Sequence, residues 1–194
     1  VPNSIKNLTN LEVLKLHDNQ LNLISEMIFQ INSLKELNFS KNKLETVSRK
    51  IGEVCDLIQV NLSYNNISSI PKEIFSLDSL IRLNLSHNYI KKIPDTIVNI
   101  QSLKELNLKN NSLKYFPEII SNLSNLEILR IERNHIENIP KDFKQHQYFQ
   151  NYLSKFDLIE EQSKIITEIQ ILINSKEDIP FISIEEREKR RNEN

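Results

Sequence analysis

The 194-residue chain contains no alanine, no tryptophan and a single glycine, Gly52. With one glycine, neither the turn of a dinucleotide-binding unit nor a phosphate-binding loop can be written anywhere, which excludes the functions built on them. The one cysteine, Cys55, allows no internal disulfide and cannot supply a thiolate-rich metal site. An excess of one charge is also missing. Lys and Arg number 25 against 26 Asp and Glu, a net charge of -1, so there is no broad electrostatic case for nucleic acid or an anionic membrane as main partner. No apolar run approaches the ~20 residues of a membrane span. The chain opens Val1-Pro2, its only methionine is Met27, and no basic-then-apolar leader is visible, so it is read as a piece of a longer protein.

What is present is periodic. Hydrophobic residues make up 39% and charged residues 26%, enough apolar material for a core and too much for wholesale disorder. Segments starting at Leu11, Leu34, Leu57, Leu80, Leu103 and Leu126 follow one another at a constant 23 residues without insertion or deletion. Each reads L-x-x-L-x-L-x-x-N-x-L, as in Leu80, Leu83, Leu85, Asn88 and Ile90. The second half of the unit reads I-P-x-x-I-x-x-L, with Ile70-Pro71, Ile93-Pro94, Phe116-Pro117 and Ile139-Pro140 at its start.

These residues are similar to leucine-rich repeats over residues 1–148. The 23-residue I-P-x-x-I form resembles the arrays of intracellular Ras-suppressor-like and Ras-scaffold proteins, plant Ras-group repeat proteins and Roco-type kinases. The resemblance is specific for fold and unspecific for function.

The physical reading agrees. In L-x-L, side chains alternate, so a short strand turns Leu83 and Leu85 inward and Asn84 outward. Parallel neighbours need a crossover on the other face, and the second half of each unit supplies it. Pro71 suits the first position of a short helical turn, and Ile74 and Leu77 share its inward face. The expected fold is α/β: a right-handed solenoid, or horseshoe, with parallel concave strands, short helical or irregular convex segments and a helical C-terminal cap. Residues 1–148 form the array, a partial repeat over 1–10 followed by six repeats from residue 11. Residues 149–194 form the cap and a charged tail. Within this C-terminal region the apolar spacing predicts helix over residues 142–175, and residues 184–194 read as a solvated mixed-charge stretch. The recurring asparagines, Asn19 through Asn134, are read as a structural ladder that satisfies the backbone where the chain leaves each strand.

No enzyme emerges from these residues. Ser40, Ser63 and Ser86 occupy one repeat position each, a ladder rather than a single activated nucleophile. His17, His87, His135 and His146 are spread over different repeats and lack acidic co-ligands at metal spacing, so no metal site and no cofactor is expected. Cys55 is expected to be an ordinary, partly packed thiol in a crossover.

The surface expected to work is the concave face. Its outward columns leave a polar strip carrying Tyr64, Arg82, His87, Tyr89, Arg130 and Arg133, of which Tyr and Arg are the types that dominate interface hot spots. The pairs Asp18/Lys41, Arg82/Glu105 and Lys109/Glu132 are placed to pair across strands. The expected function is a non-catalytic scaffold binding a protein partner, which the resemblance links to small-GTPase or kinase signalling, with a small GTPase, a kinase or a phosphatase as the partner. The alternative is a targeting or regulatory module of a larger signalling enzyme: a kinase, a phosphatase or a Rho-family exchange factor. Self-association through the C-terminal helical segment is also open. Asn38, Asn61 and Asn84 begin N-x-S sequons on the strands, where glycans would crowd the concave face. Together with ends that lack cysteine caps, this gives a cytoplasmic expectation.

Overall fold

A computed structural model describes residues 2–137, all within the first unit of the chain, Val1–Tyr152. Six three-residue strands form one sheet in sequence order: β1 Val13–Lys15, β2 Glu36–Asn38, β3 Gln59–Asn61, β4 Arg82–Asn84, β5 Glu105–Asn107 and β6 Ile128–Arg130. Every neighbouring pair is parallel, with register steps of 23 residues such as Leu37↔Val60 and Leu83↔Leu106. The constant sequence period is therefore a constant register. Each repeat places the same residue beside its counterpart.

The crossovers are five-residue 3-10 helices, Asn3–Asn7, Glu26–Gln30, Arg49–Glu53, Lys72–Ser76, Asp95–Asn99 and Glu118–Asn122. A 3-10 turn is tighter than an α-turn, which suits the few residues available between one strand and the next. Pro71 is not the first helical residue, as its sequence context predicts, but the extended residue just before it, at φ -67° and ψ 138°. Its carbonyl accepts the helix's first bond from Ile74 N–H at 3.2 Å, and Pro94 and Pro117 serve Ile97 and Ile120 in the same way. The missing proline N–H costs nothing there.

The core is a single column-built stack. Leu34, Leu37, Leu57, Leu80, Leu83, Leu85, Leu103 and Leu106 are all buried, as are the convex-side Ile28, Ile51, Ile74, Ile97 and Ile120. The lone glycine has a packing role. A Cβ built on Gly52 would lie 2.6 Å from the Glu73 carbonyl oxygen of the next crossover, so no larger residue fits without moving backbone. The boundary expected at residues 148/149, the helix over 142–175 and the tail over 184–194 lie outside the described residues, as does His146.

Candidate protein-interaction face

The asparagine column behaves as the sequence predicts. Asn65 Nδ2 donates to the carbonyls of Phe39 (3.0 Å), Leu62 (3.0 Å) and Ser63 (3.2 Å), while its Oδ1 accepts from Leu44 N–H at 3.0 Å. Asn42, Asn88, Asn111 and Asn134 likewise reach back into the preceding repeat. These amides are committed to structure.

The strand face is committed in part. Asn38, Asn61 and Asn84 each accept through Oδ1 from the hydroxyl of Ser40, Ser63 or Ser86 at 2.8 Å. The three serines are buried and each donates to a neutral amide oxygen, a structural duty without a base to activate them. Arg82 donates from Nε to Gln59 Oε1 at 2.9 Å rather than pairing with Glu105. Of the three expected cross-strand ion pairs, the described residues show Lys109–Glu132 at 3.4 Å. Arg82 and Arg130 border a shallow hollow of about 140 Å³ over β3–β6, together with Glu105 and Ile128.

Tyr64, His87 and Arg133 sit elsewhere, on a lip just beyond the strands. There the backbone takes a left-handed turn in every repeat, at Asp18 (φ 59°), Lys41 (54°), Tyr64 (56°), His87 (55°), Asn110 (51°) and Arg133 (56°). A left-handed non-glycine residue costs roughly 1–2 kcal/mol, and Lys, Tyr and Arg are less usual occupants than Asp, Asn or His. The conformation is held by inter-repeat bonds: Tyr64 N–H donates to Ser86 O at 2.9 Å and His87 N–H to Lys109 O at 2.8 Å. In the sequence pattern this column looks like ordinary outward strand positions. The available signal was its fixed place, immediately before each ladder asparagine.

The turn makes a second ladder, of side chains. The Tyr64 and His87 rings stack with centroids 3.9 Å apart and planes 11° from parallel. Asn110 Nδ2 lies 3.1 Å from His87 Nδ1 and 3.0 Å from Nε2. An atom that close to both ring nitrogens would collide with Cε1 if it lay in the ring plane, so the amide lies over the ring face. Tyr64, His87 and Asn110 thus form a continuous pile of flat groups across three repeats. Partial burial, then the positive charges of Lys109 and Arg133, hold the His87 pKa below its ordinary 6.5. Tyr89 stands two residues beyond His87 and is 58% exposed. The six residues expected to bind a partner therefore fall into two groups. Tyr64, His87, Tyr89 and Arg133 share the lip, whereas Arg82 and Arg130 lie on the strand floor.

Two further features differ from expectation or went unseen. Cys55 is exposed rather than partly packed, with Sγ 3.7 Å from the Glu53 carbonyl oxygen. A larger cavity of about 950 Å³, lined by Ile93, Tyr115, Phe116, Pro117 and His135 among others, opens where the described residues end. It contains none of the residues singled out for binding. Among the described residues, no group of three or more His, Cys, Asp or Glu could hold a metal ion, and no helix is long and apolar enough to cross a membrane.

The sequence pattern of the leucine rich repeat family matches residues 56–113. Together with the six-strand parallel register, that match decides the matter. The fold is a leucine-rich repeat solenoid. A leucine-rich repeat protein of Leptospira interrogans superposes with a TM-score of 0.72 at 34% identity, covering 76% of this chain and 38% of that one. The leucine-rich repeat ectodomain of a plant membrane receptor kinase from Arabidopsis thaliana, solved in complex with Casparian strip integrity factor 2, gives 0.67 at 28% identity, covering 74% and 18%. An internalin of Listeria monocytogenes gives 0.61 at 25% identity, covering 75% and 48%. The chain thus spans less than half the length of each of these proteins. Among curated proteins, none matches the sequence.

These leucine-rich repeats form a module of the non-catalytic, protein-interaction kind. The comparisons overturn the cytoplasmic expectation, since arrays of this geometry include the ectodomain of a membrane receptor kinase and an internalin. The physical reason is plain. The array is closed by leucine columns and an asparagine ladder, neither of which needs a disulfide, so scarce cysteine does not report the compartment.

Proposed function

We propose that the array binds a protein partner along its concave side, with Tyr64, His87, Tyr89 and Arg133 of the lip as the main contacts and Arg82 and Arg130 of the strand floor as flanking ones. The observation that carries this reading is the Tyr64–His87–Asn110 pile, in which an exposed Tyr64 ring is stacked on a half-buried His87 and so held in place for docking. The I-P-x-x-I signature supports the finer class, Ras-suppressor-like arrays, and through it a partner from small-GTPase, kinase or phosphatase signalling. A second reading is a recognition module of a larger protein, such as a receptor or signalling enzyme. Its support is the likeness to the ectodomain of a plant membrane receptor kinase. We further propose that residues 1–148 are the binding array and 149–194 a separate C-terminal segment, through which copies could associate.

The test is affinity capture on the native chain and on a Tyr64→Glu/His87→Glu/Arg133→Glu variant with a matched circular-dichroism spectrum. Arg49→Glu/Lys72→Glu, on the convex crossovers, serves as control. Selective loss of a partner on the triple variant alone is the expected result. Equal recovery on all three proteins would remove the concave side as the site.

A further inference from the structure

The lip differs in charge from the rest of the molecule. From the second repeat to the sixth, the left-handed positions read Lys41, Tyr64, His87, Asn110, Arg133, and the positions two residues on read Lys43, Asn66, Tyr89, Ser112, His135. Neither row contains a carboxylate, in a chain that as a whole carries 25 Lys and Arg against 26 Asp and Glu. The nearest acids are Asp18 at the first-repeat end, Glu45 two residues outward from Lys43, and Glu132 and Glu137 on the flanks. Glu132 and Glu137 are already held by Lys109 and Lys114, at 3.4 Å and 3.7 Å. Lys41 and Arg133 are exposed and enter no ion pair among the described residues, and the Lys43 ammonium donates to the neutral Gln20 Oε1 at 3.3 Å.

We infer that the lip takes an extended acidic peptide segment of a protein partner, running along the repeat axis across the Tyr64–His87–Asn110 pile. This deepens the reading of the concave side given above and rests on it. The length follows from the geometry. Lys41 and Arg133 stand four repeats apart, so at about 4.8 Å per strand they are separated by about 19 Å. An extended chain advances about 3.3 Å per residue, so about six residues bridge the two cations. A carboxylate near each end meets Lys41 and Lys43 or Arg133, and the middle lies against the exposed edges of Tyr64 and Tyr89, which add apolar contact with a polar handle. A basic segment is repelled at both ends. His87 sits at the centre, stacked on Tyr64 and within the electrostatic influence of Lys109 and Arg133. A bound carboxylate favours its protonated form, so binding of the acidic segment tightens as pH falls below neutrality.

The experiment uses the whole chain and a fluorescein-labelled hexaglutamate peptide, followed by anisotropy at low salt. Hexaglutamine, hexalysine, heparin and single-stranded DNA are the comparison probes. Hexaglutamate should bind at least ten-fold more tightly than hexaglutamine, weaken steeply with added salt, and lose at least ten-fold in Lys41→Glu/Arg133→Glu but little in Arg49→Glu/Lys72→Glu. Equal binding of hexaglutamate and hexaglutamine overturns the inference, as does an equal loss in the two double variants. Binding of heparin or DNA through the lip without binding of hexaglutamate also overturns it, because the lip would then select polyanions other than peptides. Should hexaglutamate fail while the triple variant still loses its captured partner, the concave reading stands and the acidic-segment inference alone falls.

Discussion

The first repeat and the central repeats have the same sequence pattern but not the same environment. Leu34, Leu37, Phe39 and Leu44 of the second repeat are buried, whereas their counterparts Leu11, Leu14, Leu16 and Leu21 are only half-buried. The ladder shows the same step. Asn65 makes four bonds, two of them to the preceding repeat, while Asn19 donates only to its own Leu16 and His17 carbonyls. One motif, repeated faithfully, is therefore more deeply buried and more fully bonded where a complete strand-bearing repeat stacks beside it on the N-terminal side. That is the expected behaviour of a quasi-one-dimensional array, whose stability lies largely in nearest-neighbour seams.

The comparison is broken most severely at the ladder. Asn65→Ala orphans the buried Leu44 N–H and removes one of the two donors from each of the Phe39, Leu62 and Ser63 carbonyls, which keep Asn42, Asn88 and Lys41. At about 1–3 kcal/mol for the unsatisfied N–H and about 0.5–1.5 kcal/mol per further lost bond, the expected cost is about 3–5 kcal/mol. Asn19→Ala should cost under about 1 kcal/mol, since its bonds are local and solvent can replace them. Urea denaturation of both variants checks this, and equal losses would show that the seams are not where stability resides. Next in size is the tight seam at Gly52. Gly52→Ala drives a methyl group into the Glu73 carbonyl, with an expected cost of about 1–3 kcal/mol for overpacking against backbone. A neutral result in thermal unfolding would mean that the crossovers slide freely past each other.

The smallest effect is a pH dependence confined to the central lip. The folded-state pKa of His87 lies below its ordinary 6.5, first because of partial burial and then because of Lys109 and Arg133. The unfolded chain therefore takes up the proton first as pH falls. The stability linked to this group is complete above the unfolded pKa and is lost as pH drops through the lower folded value. A histidine NMR titration should show a midpoint under 6.5. The urea midpoint of His87→Gln should fall less between neutral pH and pH 5 than that of the native chain, other groups cancelling between the two.

Much of the site was legible and part was not. The ladder role of the asparagines could be read because a recurring amide at a strand exit has one economical use. The buried Ser40, Ser63 and Ser86 were legible as a column for the same reason. The split of the six candidate residues into lip and floor was hidden. A left-handed turn leaves no mark in a column filled by Asp, Lys, Tyr, His, Asn and Arg, where glycine would ordinarily give the signal. The Arg82–Gln59 bond was hidden too, because Gln59 and Glu105 flank Arg82 equally in register, on β3 and β5, and only side-chain packing chooses between them.

The sequence by itself determined the solenoid. A 23-residue period with L-x-L, Asn and I-P-x-x-I at constant offsets admits one register, because a slip of one residue would turn every leucine to solvent. The tertiary structure alone decided which polar side chains remained free for a partner. That depends on hydrogen bonds between residues 21 to 26 apart and on a backbone turn maintained by the neighbouring repeat. It is also where residues of the same column part company, Tyr64 and His87 joining a stack while Lys41 and Arg133 stay solvated at its ends.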